Sequence, residues 1–483
     1  MLSLDYLRFL FKKNKFLILF ILFTNLIICM SKSDSYIAID IKTYLSFILL
    51  LALTYILPCI NFSYIHNKRA VDSYFALPIS RSKTLISDLL FIILIIFVPY
   101  AIGQSINGFL ADHISLSDTL YYLLVGLIAT VVLVIYNSLI YSLANNIFDG
   151  VVMIAAYNLL PLAIYLVCFI FNSVYVAGYS NMPLNFTNYL SPVASCVCLF
   201  LSKIFNDQYL YLLALIIYGF VSFIILYKTY VNRKCERAES ISNELFAYPF
   251  IIYAYTSLVI FGISSNFSLH QEFIDFLAEN ISLYLVTFVL FVIAHFVYKR
   301  KFYFNIKLPL YFLSVLVICM LFISAARNNK GFNIAYKYPE IDGNTQLKLN
   351  IDCYENSQIL EWFDEELNKD IDNIYINISA DISYDSKINK ATSDIIDKYR
   401  KYMIDEFYQT GIKEDTSGDY ASLSISHNDS NKNYYYYSKT LSITVDELKT
   451  LAKDGLVSIN ISDYENDYTI DENGKLVTYV WVY

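Results

Sequence analysis

Leu85-Ile86-Ser87-Asp88-Leu89-Leu90-Phe91-Ile92-Ile93-Leu94-Ile95-Ile96-Phe97-Val98-Pro99-Tyr100-Ala101-Ile102-Gly103-Gln104-Ser105-Ile106 holds a single charged side chain, Asp88. About 20 apolar residues suffice for a helix to cross the hydrocarbon core of a bilayer. Eight further blocks share this character: Phe16–Met30, Tyr44–Phe62, Thr119–Leu143, Val151–Val176, Tyr209–Tyr227, Phe246–Ile263, Ile281–Val297 and Leu308–Ala325. The sequence therefore predicts an α-helical polytopic membrane protein with about nine transmembrane helices. Its composition agrees: 57% of residues are hydrophobic and 16% are charged, against about 25% charged in soluble domains. The first block is short, and Lys12, Lys13 and Lys15 beside it extend it by snorkelling. It is read as a retained span, because Ile27-Ile28-Cys29-Met30 offers no small-x-small cleavage site.

The net charge of −8 is unevenly distributed. From Arg327 onward there are 28 Asp and Glu against 16 Lys and Arg, which leaves 15 acids and 19 bases in the preceding part. An acidic domain joined to a mildly basic membrane part argues against a nucleic-acid partner. Seven of the eight cysteines lie in or beside the spans, and only Cys353 follows them, so no disulfide is expected within the C-terminal domain. Cys196 and Cys198, spaced C-x-C, read as small buried thiols.

Lys and Arg in short loops mark the cytoplasmic side. Four basic segments fall on one side of a nine-span chain: Arg8 to Lys15, Lys68 to Lys83, Lys228 to Arg237 and Lys299 to Lys307. The N-terminus is thus expected inside a plasma membrane, and everything after Ala326 outside it. Asp5, Arg8, Lys12 and Lys15 recur at helical spacing among apolar residues, the pattern of an amphipathic helix on the inner surface. Met182 to Asp207, with Leu190-Ser191-Pro192 at its centre, reads as a re-entrant or interfacial helical element. Three parts follow: residues 1–240 with six spans and the N-terminal helix, residues 241–326 with three more, and an extracytoplasmic α+β domain over 327–483. In that domain helices are expected at Gln358–Asp370, Thr392–Gln409 and Val445–Lys453, the last with Thr444 and Glu447 as a capping box. Strands are expected at Gln346–Tyr354, Ile374–Ile382, Ala421–Ser426, Tyr435–Ile443, Val457–Ile461 and Leu476–Val482, and Asn473-Gly474 marks a hairpin.

Several chemistries lack their residues. No G-x-x-x-x-G-K-[ST] phosphate loop occurs, so ATP hydrolysis would need another chain and no cofactor is expected on this one. Asp88 and His295 are read as lying near span ends, which provides no mid-membrane carboxylate for ion coupling. The five histidines are scattered, without H-E-x-x-H, and no catalytic or metal residue is assigned. Asp463-x-Glu465-x-Asp467 lacks the glycine of a calcium loop, Tyr468 standing in its place, and reads as a solvated acidic turn.

One segment carries a signature. Between the second and third spans the chain reads Tyr64-Ile65-His66-Asn67-Lys68-Arg69-Ala70-Val71-Asp72-Ser73-Tyr74-Phe75-Ala76-Leu77-Pro78-Ile79-Ser80-Arg81. A short charged helix, a proline break and a restart at Ser80 are expected, an element able to take force from a soluble partner. Its Leu77-Pro78-Ile79-Ser80-Arg81, after a basic stretch with Asp72, resembles the ABC-2 type permease family. So do Leu190-Ser191-Pro192 and the basic-then-acidic Arg233-Lys234-Cys235-Glu236-Arg237-Ala238-Glu239. The resemblance covers roughly residues 1–240 and is nearest to multidrug and antimicrobial-peptide export permeases of low-GC Gram-positive bacteria. It implies a six-span unit that pairs with a second copy or a paralogous permease. It also implies a separate ABC ATPase subunit that binds ATP and contacts the loop at Lys68, Arg69, Asp72, Tyr74, Leu77, Pro78, Ile79, Ser80 and Arg81. The expected function is the permease of an ABC exporter moving an amphipathic, peptide or lipid-like cargo. The alternatives are a membrane sensor for an extracellular peptide or cell-wall precursor, and a membrane enzyme acting on a lipid-linked substrate.

Overall fold

The computed structural model describes residues 4–30, 36–110, 115–181, 189–201, 208–241, 246–302, 305–337, 344–353, 361–362, 365, 374–383, 390–408, 420–428, 434–442, 444–453, 458–462, 467–470 and 476–478. Among them eight helices are long and apolar enough to cross a membrane. These are α3 (Tyr36–Asn61), α5 (Arg81–Leu110), α6 (Leu116–Leu143), α7 (Ile147–Tyr175), α9 (Gln208–Val231), α10 (Tyr248–Ser265), α11 (Phe273–Lys299) and α12 (Lys307–Asn328). The chain is a helical polytopic membrane protein.

The first expected span differs from the rest. Its helix α2 (Lys15–Met30) has 16 residues, about 24 Å at 1.5 Å per residue, short of a 30 Å hydrocarbon core. The amphipathic helix α1 (Leu4–Lys13) precedes it, and Asn14 joins them with little break, its N–H bonding to Leu10 O and its carbonyl accepting from Ile18 N–H. Tyr6 and Leu10 are the buried residues of α1, which packs on α5, while Asp5 and Arg8 stay exposed. Of the stretch 182–207, residues 182–188 and 202–207 lie outside the described part. The rest contains α8 (Pro192–Leu201), a ten-residue apolar helix packed on α6 and α9. Ser191 caps it, its Oγ accepting from Ala194 N–H.

The chain divides into two compact units. The first comprises Met1–Tyr165, Leu184–Val259 and Val286–Leu310. Its interior is built where α2, α3, α5, α6 and α9 pack on one another. Tyr100 of α5 is fully buried against Gly126 of α6, where a Cβ would lie 2.2 Å from the ring. Only glycine admits that approach.

The second unit comprises Leu166–Pro183, Ile260–Leu285 and Tyr311–Tyr483. It holds an antiparallel sheet of eight strands in the order β1-β5-β4-β2-β3-β6-β7-β8. Seven strands follow the last long apolar helix: β2 (Asn344–Cys353), β3 (Ile374–Ser383), β4 (Tyr420–Asn428), β5 (Tyr434–Ser442), β6 (Ser458–Ser462), β7 (Asp467–Ile470) and β8 (Leu476–Thr478). The eighth, β1 (Tyr179–Asn181), comes from the segment after α7 and pairs with β5, Tyr179 opposite Tyr435. Asp467, expected in an acidic turn, opens β7. The hairpin residues Asn473-Gly474 and most of Gln358–Asp370 lie outside the described residues. After the short helix α13 (Ile334–Lys337) come α14 (Lys390–Tyr408) and α15 (Val445–Lys453). The box at the start of α15 is formed: Glu447 N–H donates to Thr444 Oγ1 at 3.4 Å, and Thr444 N–H to Glu447 Oε2 at 3.2 Å. Glu447 also accepts from Lys398 Nζ at 2.5 Å and Tyr399 OH at 2.6 Å, tying α15 to α14.

Two predictions follow from these contacts. Gly126→Leu, which overpacks Tyr100, should destabilise the chain by about 1–3 kcal/mol, read as a lower thermal midpoint in detergent. Burial pushes the Glu447 carboxyl up, yet Lys398, Tyr399 and the Thr444 N–H outweigh it and hold the group below its ordinary value. Its contribution is therefore complete above the unfolded-state value of about 4.3 and lost as pH falls through the lower folded value. Amide exchange in α15 should accelerate over that acid range, and Glu447→Gln should flatten the dependence.

Candidate functional site

The loop between α3 and α5 is built in three pieces. A 3-10 turn, Phe62–His66, continues α3, with Phe62, Tyr64, Ile65 and His66 buried. Asn67 leaves helical geometry at φ −108°, and its Oδ1 accepts from Arg69 N–H and Ala70 N–H at 3.0 and 3.2 Å. That is an N-cap, and it starts α4 (Lys68–Phe75), an eight-residue helix. Val71 is the buried residue of α4, while Lys68, Arg69, Asp72 and Ser73 are exposed. The helix cannot run on through Pro78. Ser80 restarts it, its carbonyl accepting from Lys83 N–H and Thr84 N–H at 2.9 and 3.1 Å. Leu77, Pro78 and Ser80 are exposed, and Ile79 is half-buried.

Residues expected to act together are divided by the structure. Arg81 turns inward: its guanidinium donates to Val231 O at 3.1 Å and Arg233 O at 2.8 Å, and lies 4.3 Å from the Phe75 ring centre. Tyr74 also faces inward, stacked on Tyr64 at 4.2 Å, with its hydroxyl taking a hydrogen bond from Lys13 Nζ at 3.0 Å. Lys68 contributes its backbone N–H to Glu239 Oε1 at 3.3 Å. The outward face of the loop is thus Lys68, Arg69, Asp72, Leu77, Pro78 and Ser80, and its anchors are Tyr74 and Arg81.

Beneath Tyr64 lies a group that the sequence places near a span end without showing its partners. Asp88, on the third turn of α5, is fully buried. Tyr6 of α1 donates to its Oδ1 at 3.1 Å, and Tyr64 to its Oδ2 at 2.9 Å. The Tyr64 hydroxyl also lies 2.5 Å from that of Tyr230 on α9. One carboxylate therefore links α1, the 3-10 turn, α5 and, through Tyr64, α9. Burial and the neighbouring Asp88 push the Tyr6 hydroxyl well above its ordinary range, so it stays a donor. The available signal was one acid in an apolar run, but the tyrosines that meet it lie 82 and 24 positions away, and Tyr230, which meets Tyr64, lies 142 away.

A second anchor is Arg233, also buried. It donates to Ser142 O and, at 2.9 Å, to Ala144 O. These carbonyls stand at the end of α6, where a helix leaves acceptors without intrahelical partners and favours positive charge. Asn145 continues the seam, its carbonyl accepting from Glu239 N–H at 2.9 Å and its amide donating to Ser240 Oγ at 3.1 Å. The basic-then-acidic stretch 233–239 is in this way stitched to the α6–α7 connection and, through Glu239, to the start of α4.

Chemically, the site offers hydrogen bonding and a mixed-charge exposed face. Among the described residues no group of three His, Cys, Asp or Glu is placed to hold a metal ion. Cys196 is buried, Cys198 is half-buried, and both are free thiols. No family model matches the chain, and neither does any curated protein or solved structure.

Asp88→Ala leaves the Tyr6 hydroxyl without its acceptor and Tyr64 with Tyr230 alone, and should cost about 1–3 kcal/mol. Asp88→Asn keeps an acceptor and should cost less, a ranking that thermal unfolding in detergent will read.

Proposed function

We propose that the chain is the membrane-embedded subunit of an ATP-driven exporter, working with an ABC ATPase on a separate chain and with a second permease copy or paralogue. The observation that supports this is the construction of the α4 loop. Its outer face is free, while its inner face is tied through Tyr74, Tyr64, Arg81 and Arg233 to α5, α6 and α9. A soluble partner that moves α4 moves those helices with it. In this reading ATP is bound by the partner, and the ATPase meets Lys68, Arg69, Asp72 and Leu77. The basic loops put this face in the cytoplasm, and residues 327–483 outside a plasma membrane. The scarcity of charge within the spans suits an amphipathic, peptide or lipid-like cargo.

The second reading is a sensor that binds an extracellular peptide or cell-wall precursor and transports nothing. It is favoured by the seven strands after α12, an investment beyond what six spans and a loop need.

A pull-down of the detergent-solubilised chain from its native cells separates these. Wild type should recover an ATPase, and the surface double variant Asp72→Ala/Leu77→Asp should lose it while keeping its thermal midpoint. Arg81→Ala is the wrong probe, because it removes an internal anchor. Recovery of no ATPase with wild type would end the exporter reading, and equal recovery with the double variant would move the docking site elsewhere.

A further inference from the structure

Within the second unit, the end of α7, the segment after α12 and the end of α14 converge on one hydroxyl. Tyr408, the last residue of α14, donates to Tyr175 O at 2.6 Å and accepts from Ala177 N–H at 3.3 Å. Tyr175, Val176 and Ala177 are all buried. Gly331 packs against the same carbonyl: a Cβ there would lie 2.0 Å from Tyr175 O and 2.8 Å from Tyr408 OH. Its φ of +61° belongs to the left-handed region. So do three neighbours that are not glycine, Lys330 at 48°, Phe332 at 57° and Asn333 at 57°.

Such residues persist only where their surroundings over-determine them. Here the surroundings are explicit. Lys330 Nζ and Tyr336 OH both donate to Asp405 Oδ1, at 3.3 and 2.5 Å, and Phe332 packs on Phe322 of α12 at 5.4 Å. The Tyr336 hydroxyl, with Lys330, holds the Asp405 carboxyl below its ordinary range. The Tyr175 hydroxyl donates to Phe267 O after α10, and Arg327 donates to Gln271 O just before α11 at 3.0 Å. Two residues beyond Ala177, the chain enters the sheet as β1.

We infer that the Tyr408 joint is a relay: it makes the C-terminal sheet with α14 and the ends of α7, α10, α11 and α12 respond as one element, so that whatever orders or loosens the sheet resets the packing of those helix ends. A tether would need only the covalent link through residues 329–337. The joint instead joins α14 to α7 by a two-way hydrogen bond, closes around a strained elbow and adds a strand to the sheet edge. Each feature removes independent motion. The relay is independent of the occupant of the sheet and of the exporter reading.

The test is a double-mutant cycle on the full chain in nanodiscs, read by amide exchange. Glu447→Ala removes the acceptor shared by Lys398 and Tyr399 and so releases α15 from α14, far along the helix from Tyr408. It should raise exchange in peptides covering 174–181 and 327–337 by about fivefold, the size of one lost hydrogen bond. In a Tyr408→Phe background the same change should produce no further rise there, while Tyr402→Phe should leave the rise intact. Protection unchanged by Glu447→Ala, or an equal rise with and without the Tyr408 hydroxyl, would overturn the relay. Tyr336→Phe, which removes the bond to Asp405, serves the same cycle if Tyr408→Phe lowers the yield of folded chain.

Discussion

A polar group in a membrane interior must find its partner within the protein, and the helix packing here is organised around that requirement. Asp88 is its sharpest case. A fully buried carboxylate is tolerated because two hydroxyls converge on it, one from α1 and one from the 3-10 turn after α3. The position of α1, the turn after α3 and the course of α5 are therefore mutually dependent. Arg233 repeats the logic with opposite sign, as a buried cation taken up by the free carbonyls at the end of α6.

Tyrosine supplies most of these links, which gives a physical meaning to the 45 tyrosines of the sequence. Repeatedly a tyrosine hydroxyl donates across to a backbone carbonyl of another segment: Tyr100 to Tyr122, Tyr157 to Phe246, Tyr218 to Tyr189, Tyr255 to Ala156 and Tyr408 to Tyr175. The side chain suits the task. Its ring buries apolar area among neighbouring helices, while its hydroxyl reaches past the helix surface without bringing a charge into the apolar interior.

Legibility from sequence follows the range of the interaction concerned. Membrane helices were readable because one long apolar block encodes each of them; the ends of α6 differ from expectation by a few residues at most. The break at Pro78, the restart at Ser80 and the box between Thr444 and Glu447 were readable because a cap is local chemistry. Asp88 was visible but uninterpretable, since Tyr6, Tyr64 and Tyr230 are indistinguishable in sequence from the other tyrosines. The partners of Arg81 were illegible for the same reason. A basic residue in a basic loop reads as a surface charge, whereas its partners are carbonyls 150 residues away, which no side-chain pattern reports. The shortness of α2 was legible in the block length, and β1 was not, because three residues carry no periodicity.

Arg81 also separates two roles that a basic loop confounds. Positive charge at a membrane surface holds a loop on one side of the bilayer, and any lysine does this without fixed geometry. Transmission of a displacement requires something stricter: the moving element must lack freedom to slip against what it moves. The stack of Tyr74 on Tyr64, the bond from Tyr64 to Asp88 and the bonds from Arg81 to two carbonyls at the end of α9 are contacts of that fixed kind. A flexible loop of identical composition would be oriented equally well and would transmit nothing. The proposed role of α4 as a lever therefore rests on its uncharged and inward-facing contacts, because charge by itself can only favour one side of a bilayer.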